Sequence, residues 1–239
     1  MTMISDNLQQ VRARIATACA KAMRSENSVQ LLAVSKTFGP EAVEAAFAAG
    51  QTAFGENYIQ EGVEKIAVLR HLPLQWHMIG PVQSNKTRLV AENFDWVQSL
   101  DRLKIAERLN QQRPSHLPAL QICIQVNIDD GPNKSGLMPS EVLALARQLA
   151  ALPRLNLRGL MFIPEVAPDL EAIQVVLTRA KTLFDQLKIA VGLFQDPAQA
   201  ARFDTLSMGM SADMDTAILC GSTMVRVGTA IFGGRSANA

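Results

Sequence analysis

Eight short apolar runs, the first seven each followed by residues at helical spacing, are the feature that most limits what this chain can fold into. The runs cover residues 31–34, 52–54, 75–79, 96–98, 119–126, 155–162, 205–206 and 224–227. Helical spacing fills residues 41–49, 58–69, 86–92, 102–112, 140–150, 170–186 and 211–219. A further amphipathic stretch, residues 4–23, comes first and lines up Leu8, Val11, Ile15, Ala18 and Ala22. Start signals agree with several of these helices: Pro40 before Glu41, Asp101 before Leu103, Pro139 and Ser140 before Glu141, and Ser211 before Asp213 and Asp215. Gly50 and Gly221 supply stops.

Several runs are apolar along their whole length, as strands covered on both faces are, and parallel neighbours need the crossovers that the helical stretches provide. The expected class is therefore α/β, a (β/α)8 TIM-type barrel with an additional N-terminal helix; an open doubly wound sheet is the competing arrangement. No Pro/Gly/Ser-rich linker divides the chain, and residues 193–201 read as a loop. One domain is expected over residues 1–239, with the N-terminal helix within 1–25 and a flexible tail at 233–239.

Composition narrows the partners. A formal net charge of +1, with no basic run, argues against nucleic acid. No apolar stretch approaches the ~20 residues that span a bilayer, and Asp6, Arg12 and Arg14 break the order of a secretory leader, so no membrane partner is expected. Cys19, Cys123 and Cys220 are an odd and widely spaced set, which fits the reducing cytoplasm better than a disulfide framework. With only His71, His77 and His116 besides, no metal site is expected.

In a barrel the chemistry gathers where strands end. Lys36 follows the first run, where partial desolvation favours the free amine that condenses with an aldehyde; a merely exposed strand end is the plain alternative. Ser207-Met208-Gly209-Met210-Ser211 follows the seventh run and Gly228-Thr229 the eighth, and together they suit an anion held by backbone N–H groups. Gly209 as a turn residue and Ser207 or Ser211 as a cap are the alternatives. Arg226, flanked by Val225 and Val227, needs an acceptor, either on a ligand or on an interior acid such as Asp95 or Asp204. His77 reads as a general base or as a satisfied core imidazole, and Lys134-Ser135-Gly136 as a ligand loop or a solvated turn.

Read together, these segments are familiar. Ala33-Val34-Ser35-Lys36-Thr37, Phe54-Gly55-Glu56-Asn57-Tyr58, His77-Met78-Ile79-Gly80-Pro81, Gly159-Leu160-Met161, Leu206-Ser207-Met208-Gly209-Met210-Ser211 and Val225-Arg226-Val227-Gly228-Thr229 follow one another in order across nearly the whole chain. The sequence resembles the pyridoxal phosphate homeostasis proteins of the YggS/PROSC type. That resemblance implies a barrel like the N-terminal half of alanine racemase, with pyridoxal 5'-phosphate joined to Lys36 as a Schiff base. It implies Arg226 at the pyridine nitrogen, Ser207, Gly228 and Thr229 at the phosphate, and Asn57, His77 and Met208 around the site. Gly209 and Ser211 complete the expected cofactor-binding set, and no catalytic residue is expected.

The implied function is to buffer or deliver the cofactor and maintain vitamin B6 and amino/keto-acid homeostasis, with apo pyridoxal phosphate enzymes as recipients and the protein a monomer. The alternative is a racemase-like enzyme; racemisation needs a base on each face of the substrate, and the sole tyrosine is Tyr58. The chain departs from the family pattern at Phe38, where many members have a second lysine, and at Gly131, where a glutamate is usual.

Overall fold

A computed structural model describes residues 3–129, 135–165, 169–190, 194 and 197–234. Eight parallel strands close into a barrel in chain order: β1 Gln30–Val34, β2 Ala53–Glu56, β3 Gln75–Met78, β4 Trp96–Leu100, β5 Leu120–Val126, β6 Leu155–Phe162, β7 Thr205–Ser207 and β8 Met224–Val227. All eight expected runs become strands, and β1 pairs with β8 to complete the ring, which excludes the open sheet. The helices are α1 Met3–Lys21, α2 Pro40–Ala48, α3 Ile59–Val68, α4 Thr87–Asn93, α5 Leu103–Gln112, α6 Pro139–Ala150, α7 Leu170–Lys188, α8 Pro197–Arg202, α9 Met214–Leu219 and α10 Thr229–Phe232.

The main core lies between the strands and the helical ring, where residues such as Phe54, Leu109, Leu120 and Phe203 are fully buried. Two smaller clusters stand apart from it, Leu32 with Ala53 and Met224, and Trp96 with Cys123 and Met161. Helix α1 buries Leu8, Val11, Ile15, Ala18 and Cys19, so Cys19 rather than Ala22 completes its apolar stripe. It packs on α2, α9 and α10, and Asn7 Nδ2 donates to Ile231 O at 2.9 Å.

Three local expectations need correction. Residues 197–202 are helical rather than loop: α8 buries none of its residues, so it carries no amphipathic stripe by which to recognise it. Helix α9 starts at Met214, not at residue 211, because Asp213 accepts the Met210 N–H at 2.7 Å and closes a turn that holds Ser211 outside the helix. Asp101 does not cap α5, whose capping position is Arg102. Lys134, Gly131 and residues 235–239 of the expected tail lie outside the described residues.

No described helix is long and apolar enough to cross a membrane. No group of three or more His, Cys, Asp or Glu side chains among the described residues is placed to hold a metal ion, and all three cysteines are free thiols.

Closure requires β6 to pass between two close neighbours. The β5–β6 register shifts between Ile122 and Cys123, and Gly159 faces Cys123 on one side and Thr205 on the other. At φ 156° a Cβ on Gly159 would overlap the carbonyl oxygen of Thr205. Gly159→Ala is therefore expected to destabilise the fold by about 3 kcal/mol or more, through backbone strain and displacement of β7. Urea unfolding followed by circular dichroism measures this; a midpoint within error of the unchanged protein would contradict it.

Candidate functional site

The chain turns immediately after β1. Phe38 N–H donates to Ser35 O at 3.1 Å, and Thr37 sits at φ 69°, a conformation that β-branched residues avoid. The strain persists because both neighbours of Lys36 are held from below. Glu61 Oε1 accepts the Thr37 N–H at 2.6 Å, while Lys65 Nζ donates to Ser35 O at 2.7 Å, to Glu61 Oε1 at 2.6 Å and to Glu56 Oε1 at 2.9 Å. Ser35 Oγ donates to the same Glu56 oxygen at 2.6 Å. Burial raises the Glu56 carboxyl above the usual carboxylate range, against the pull of Lys65 and Ser35, and its Oε2 has no partner.

Sequence reasoning missed Lys65: on α3 it reads as a surface lysine, yet it is buried and holds the Lys36 turn in place. Lys65→Met strips the buried Glu56 and the partly exposed Glu61 of their cation and is expected to cost about 3 kcal/mol. Chemical denaturation measures the loss, and a cost below about 1 kcal/mol would show that the cluster contributes little.

Above this turn lies a cavity of about 400 Å³, lined by Lys36, Asn57, Ser211, Arg226, Gly228 and Thr229 together with apolar side chains including Val34, Ile79 and Ile163. Lys36 is half-buried on its rim. Ser211 Oγ and Thr229 Oγ1 stand 3.5 Å apart, and Thr229 opens α10, whose first N–H groups have no intrahelical partner. Phe38, the departure from the family lysine, packs its ring on Phe232 of α10 at 5.2 Å and so ties the Lys36 turn to this side of the cavity.

Arg226 is buried in the cavity wall. Its Nη1 donates to Ser207 Oγ at 2.8 Å and its Nη2 to Phe162 O at 2.7 Å. The structural ion pair weighed from the sequence does not form: Asp95 accepts the Trp76 N–H and Asp204 pairs with Arg158 at 2.8 Å. Among the described residues no carboxylate reaches ion-pair distance of Arg226. Burial lowers its pKa to about 10, so it stays a cation at neutral pH. A desolvated cation that faces a cavity without a carboxylate needs an acceptor from a ligand.

Four expected site residues stand behind the lining rather than in it. Ser207 is fully buried and binds Arg226 and Gln98, Met208 is packed in the core, and Gly209, at φ 98°, accepts the Arg226 N–H through its carbonyl at 2.9 Å. A Cβ on Gly209 would approach Ala217 Cβ to 2.6 Å, so the glycine lets this loop close on α9. His77 lies inside the barrel, stacked on Trp96 at 4.9 Å between ring centroids, and is hydrogen-bonded to Gln98 and Gln75.

Burial, with a smaller contribution from Arg158, lowers the His77 pKa to about 3. Its folded pKa lies below its unfolded value, so the unfolded chain binds the proton first. The stability that neutral His77 provides is full above about pH 6.5 and is lost as pH falls towards about 3. From pH 7 to pH 5 the protein should lose about 2 kcal/mol that a His77→Gln variant does not. Equal losses of unfolding free energy between pH 7 and pH 5 for the two proteins, taken from urea titrations at each pH, would refute this.

The sequence matches the alanine racemase N-terminal domain over residues 7–236, and the chain belongs to that family. Within it, the closely similar chains define its membership of the pyridoxal phosphate homeostasis protein family. The protein of that name from Pasteurella multocida is 55% identical over 234 residues, 97% of each chain. That of Escherichia coli K12 is 51% identical over 239 residues, 98% of each chain. The solved structure of PipY from Synechococcus elongatus with PLP bound matches with a TM-score of 0.80 at 36% identity, covering 96% of this chain and 100% of that one. Alanine racemase from Corynebacterium glutamicum, at 16% identity and a TM-score of 0.65, shares the fold over 99% of this chain and 63% of its own.

Proposed function

We propose that this chain binds pyridoxal 5'-phosphate and serves as a homeostasis protein that buffers the cofactor or delivers it to apo pyridoxal phosphate enzymes, without robust catalysis of its own. The observation that carries this reading is that one cavity presents a primary amine, Lys36, and a buried guanidinium, Arg226, that no carboxylate among the described residues meets at ion-pair distance. The residues fit the group: the cavity's volume lies within the range of small-ligand sites, and its polar groups match an aldehyde, a ring nitrogen and a phosphate in kind. The names of the close relatives and the PLP-bound PipY structure support the same reading.

When bound, the cofactor supplies an aldehyde that condenses with a primary amine and a ring that withdraws electrons. Lys36 provides the amine. Arg226 would donate to the pyridine nitrogen, and as a permanent cation it would keep a proton off that atom, which would weaken the ring as an electron sink and suit storage better than turnover. Ser211, Thr229 and the backbone at Gly228 would hold the phosphate, and Asn57 forms part of the wall. Ser207, Met208, Gly209 and His77 act from behind it by holding the lining in shape. Tyr58, the only tyrosine, is 55% exposed and does not line the cavity, which supports carriage over racemisation. In this reading the protein is a cytoplasmic monomer.

Purified protein loaded with pyridoxal 5'-phosphate should absorb near 420 nm, roughly the band of a lysine-bound cofactor. Borohydride should fix the cofactor on Lys36 in peptide maps, and folded Lys36→Ala should lose that label. A label that stays elsewhere with the band unchanged removes Lys36 from the role. Incubation with amino acids in deuterated water should leave Cα–H intact; rapid exchange would make the protein an enzyme instead.

A further inference from the structure

A hydrogen-bonded chain runs through the inside of the barrel, starting at the cavity wall. Arg226 Nη1 donates to Ser207 Oγ at 2.8 Å, and Ser207 Oγ donates to Gln98 Oε1 at 2.6 Å. Gln98 Nε2 lies 2.9 Å from His77 Nδ1, and His77 Nε2 lies 3.0 Å from Gln75 Oε1. Strand β4, which carries Gln98, neighbours neither β7 nor β8, so its contacts with Ser207 and Met224 span the lumen. Ser207, Gln98 and His77 are fully buried.

The chain has one self-consistent sense. A guanidinium has only donors, so Ser207 accepts from Arg226 and sends its own hydrogen to Gln98 Oε1. That places the Gln98 amide nitrogen against His77 Nδ1 and leaves the imidazole protonated at Nε2, donating to Gln75. Reversing the Gln98 amide would strand the Ser207 hydrogen and set an oxygen against the Met224 sulfur, which the amide nitrogen now meets at 3.1 Å. The low pKa of His77 keeps the imidazole neutral, so the sense does not invert near neutral pH.

We propose that Gln98 and His77, neither of which lines the cavity, are positioning residues that fix the rotation of the Arg226 guanidinium and thereby set recognition of a ligand's ring nitrogen. The proposal rests on the reading of the cavity as a pyridoxal phosphate site. Arg226 has two anchors, Phe162 O and Ser207 Oγ; the first is fixed backbone, the second a rotor. Gln98 fixes that rotor by taking its hydrogen, and His77 fixes Gln98. With the rotor free, Ser207 is no longer held with a lone pair fixed towards the cation, and the guanidinium turns about its remaining bond.

The test compares pyridoxal 5'-phosphate with the deaza analogue that carries C–H in place of the ring nitrogen. The unchanged protein should prefer the natural cofactor about tenfold, the scale of one hydrogen bond to a charged group. Gln98→Leu should bring that preference close to unity while leaving affinity for the analogue unchanged. Ser207→Ala, which removes the rotor with little change in volume, should do the same and serves where Gln98→Leu does not fold. Equal weakening towards both ligands, or a preference retained in the variants, overturns the proposal while leaving the cofactor reading intact. An unchanged protein that binds neither ligand overturns both. Independently of any cofactor, nitrogen NMR should find His77 neutral and protonated at Nε2 over about pH 5 to 8; an Nδ1-protonated ring overturns the assigned sense.

Discussion

Pairing of the first strand with the last is the constraint on which the rest of the structure depends. Leu32 faces Arg226 and Ala33 faces Val227 across the β1–β8 seam, so opposite ends of the chain deliver Lys36 and Arg226 to one rim. Closure also removes the unpaired edges that an open sheet would expose. The seam is reinforced on its outside by α1, through packing on α9 and α10 and the Asn7 bond to Ile231 O. At the rim the Phe38–Phe232 contact joins the turn after β1 to the helix after β8. The amine and the guanidinium are thus held by the same closure that makes the barrel.

Two buried cations flank this seam and are treated in opposite ways. Lys65 meets Glu56, Glu61 and a carbonyl, all inside the protein, and its charge is spent on holding a strained turn. Among the described residues the Arg226 guanidinium meets only a hydroxyl and a carbonyl, although Asp95 and Asp204 were available elsewhere in the sequence for pairing. Removing one partner of a buried pair leaves an uncompensated charge, whereas a cation left without a carboxylate beside a cavity keeps its electrostatic capacity for a guest. The first arrangement is structural and the second is recognition. Sequence alone does not separate them, since both are basic residues in amphipathic or apolar surroundings.

Periodicity accounts for the part of the fold that is legible in the sequence. Eight runs with helical spacing between them specify strands, crossovers and the rim beyond each strand, and Lys36, Asn57, Arg226, Gly228 and Thr229 all stand at or just past the end of a run. The misses arise where the cause is long-range or local geometry. Helix α8 has no buried face to give it a period, and the start of α9 depends on an Asp213 side chain closing a turn rather than on the serine that resembles a cap. Lys65 acquires its role only where α3 lies against β1 and β2. Gln98 and Ser207 are 109 residues apart, and nothing in either neighbourhood announces that they touch once the barrel closes.

The interior of this barrel differs from the layers of branched aliphatic side chains that fill most barrels of its kind. Leu32, Met224, Trp96 and Met161 occupy part of it, but His77, Gln98, Ser207 and Arg226 take positions where apolar groups would pack without desolvation cost. Such a network is tolerable only when each member is matched, because a half-satisfied set is worse than an apolar filling. Here the matching runs in one direction, and each link leaves the next with a single way to donate. The consequence is a division of labour within one core. A cavity made between strands and helices costs packing free energy because its surroundings relax only in part, whereas one broken link in the lumen unsettles every donor up to the guanidinium. The outer core therefore contributes stability alone, whereas the inner chain, besides its share of stability, sets how the mouth is oriented.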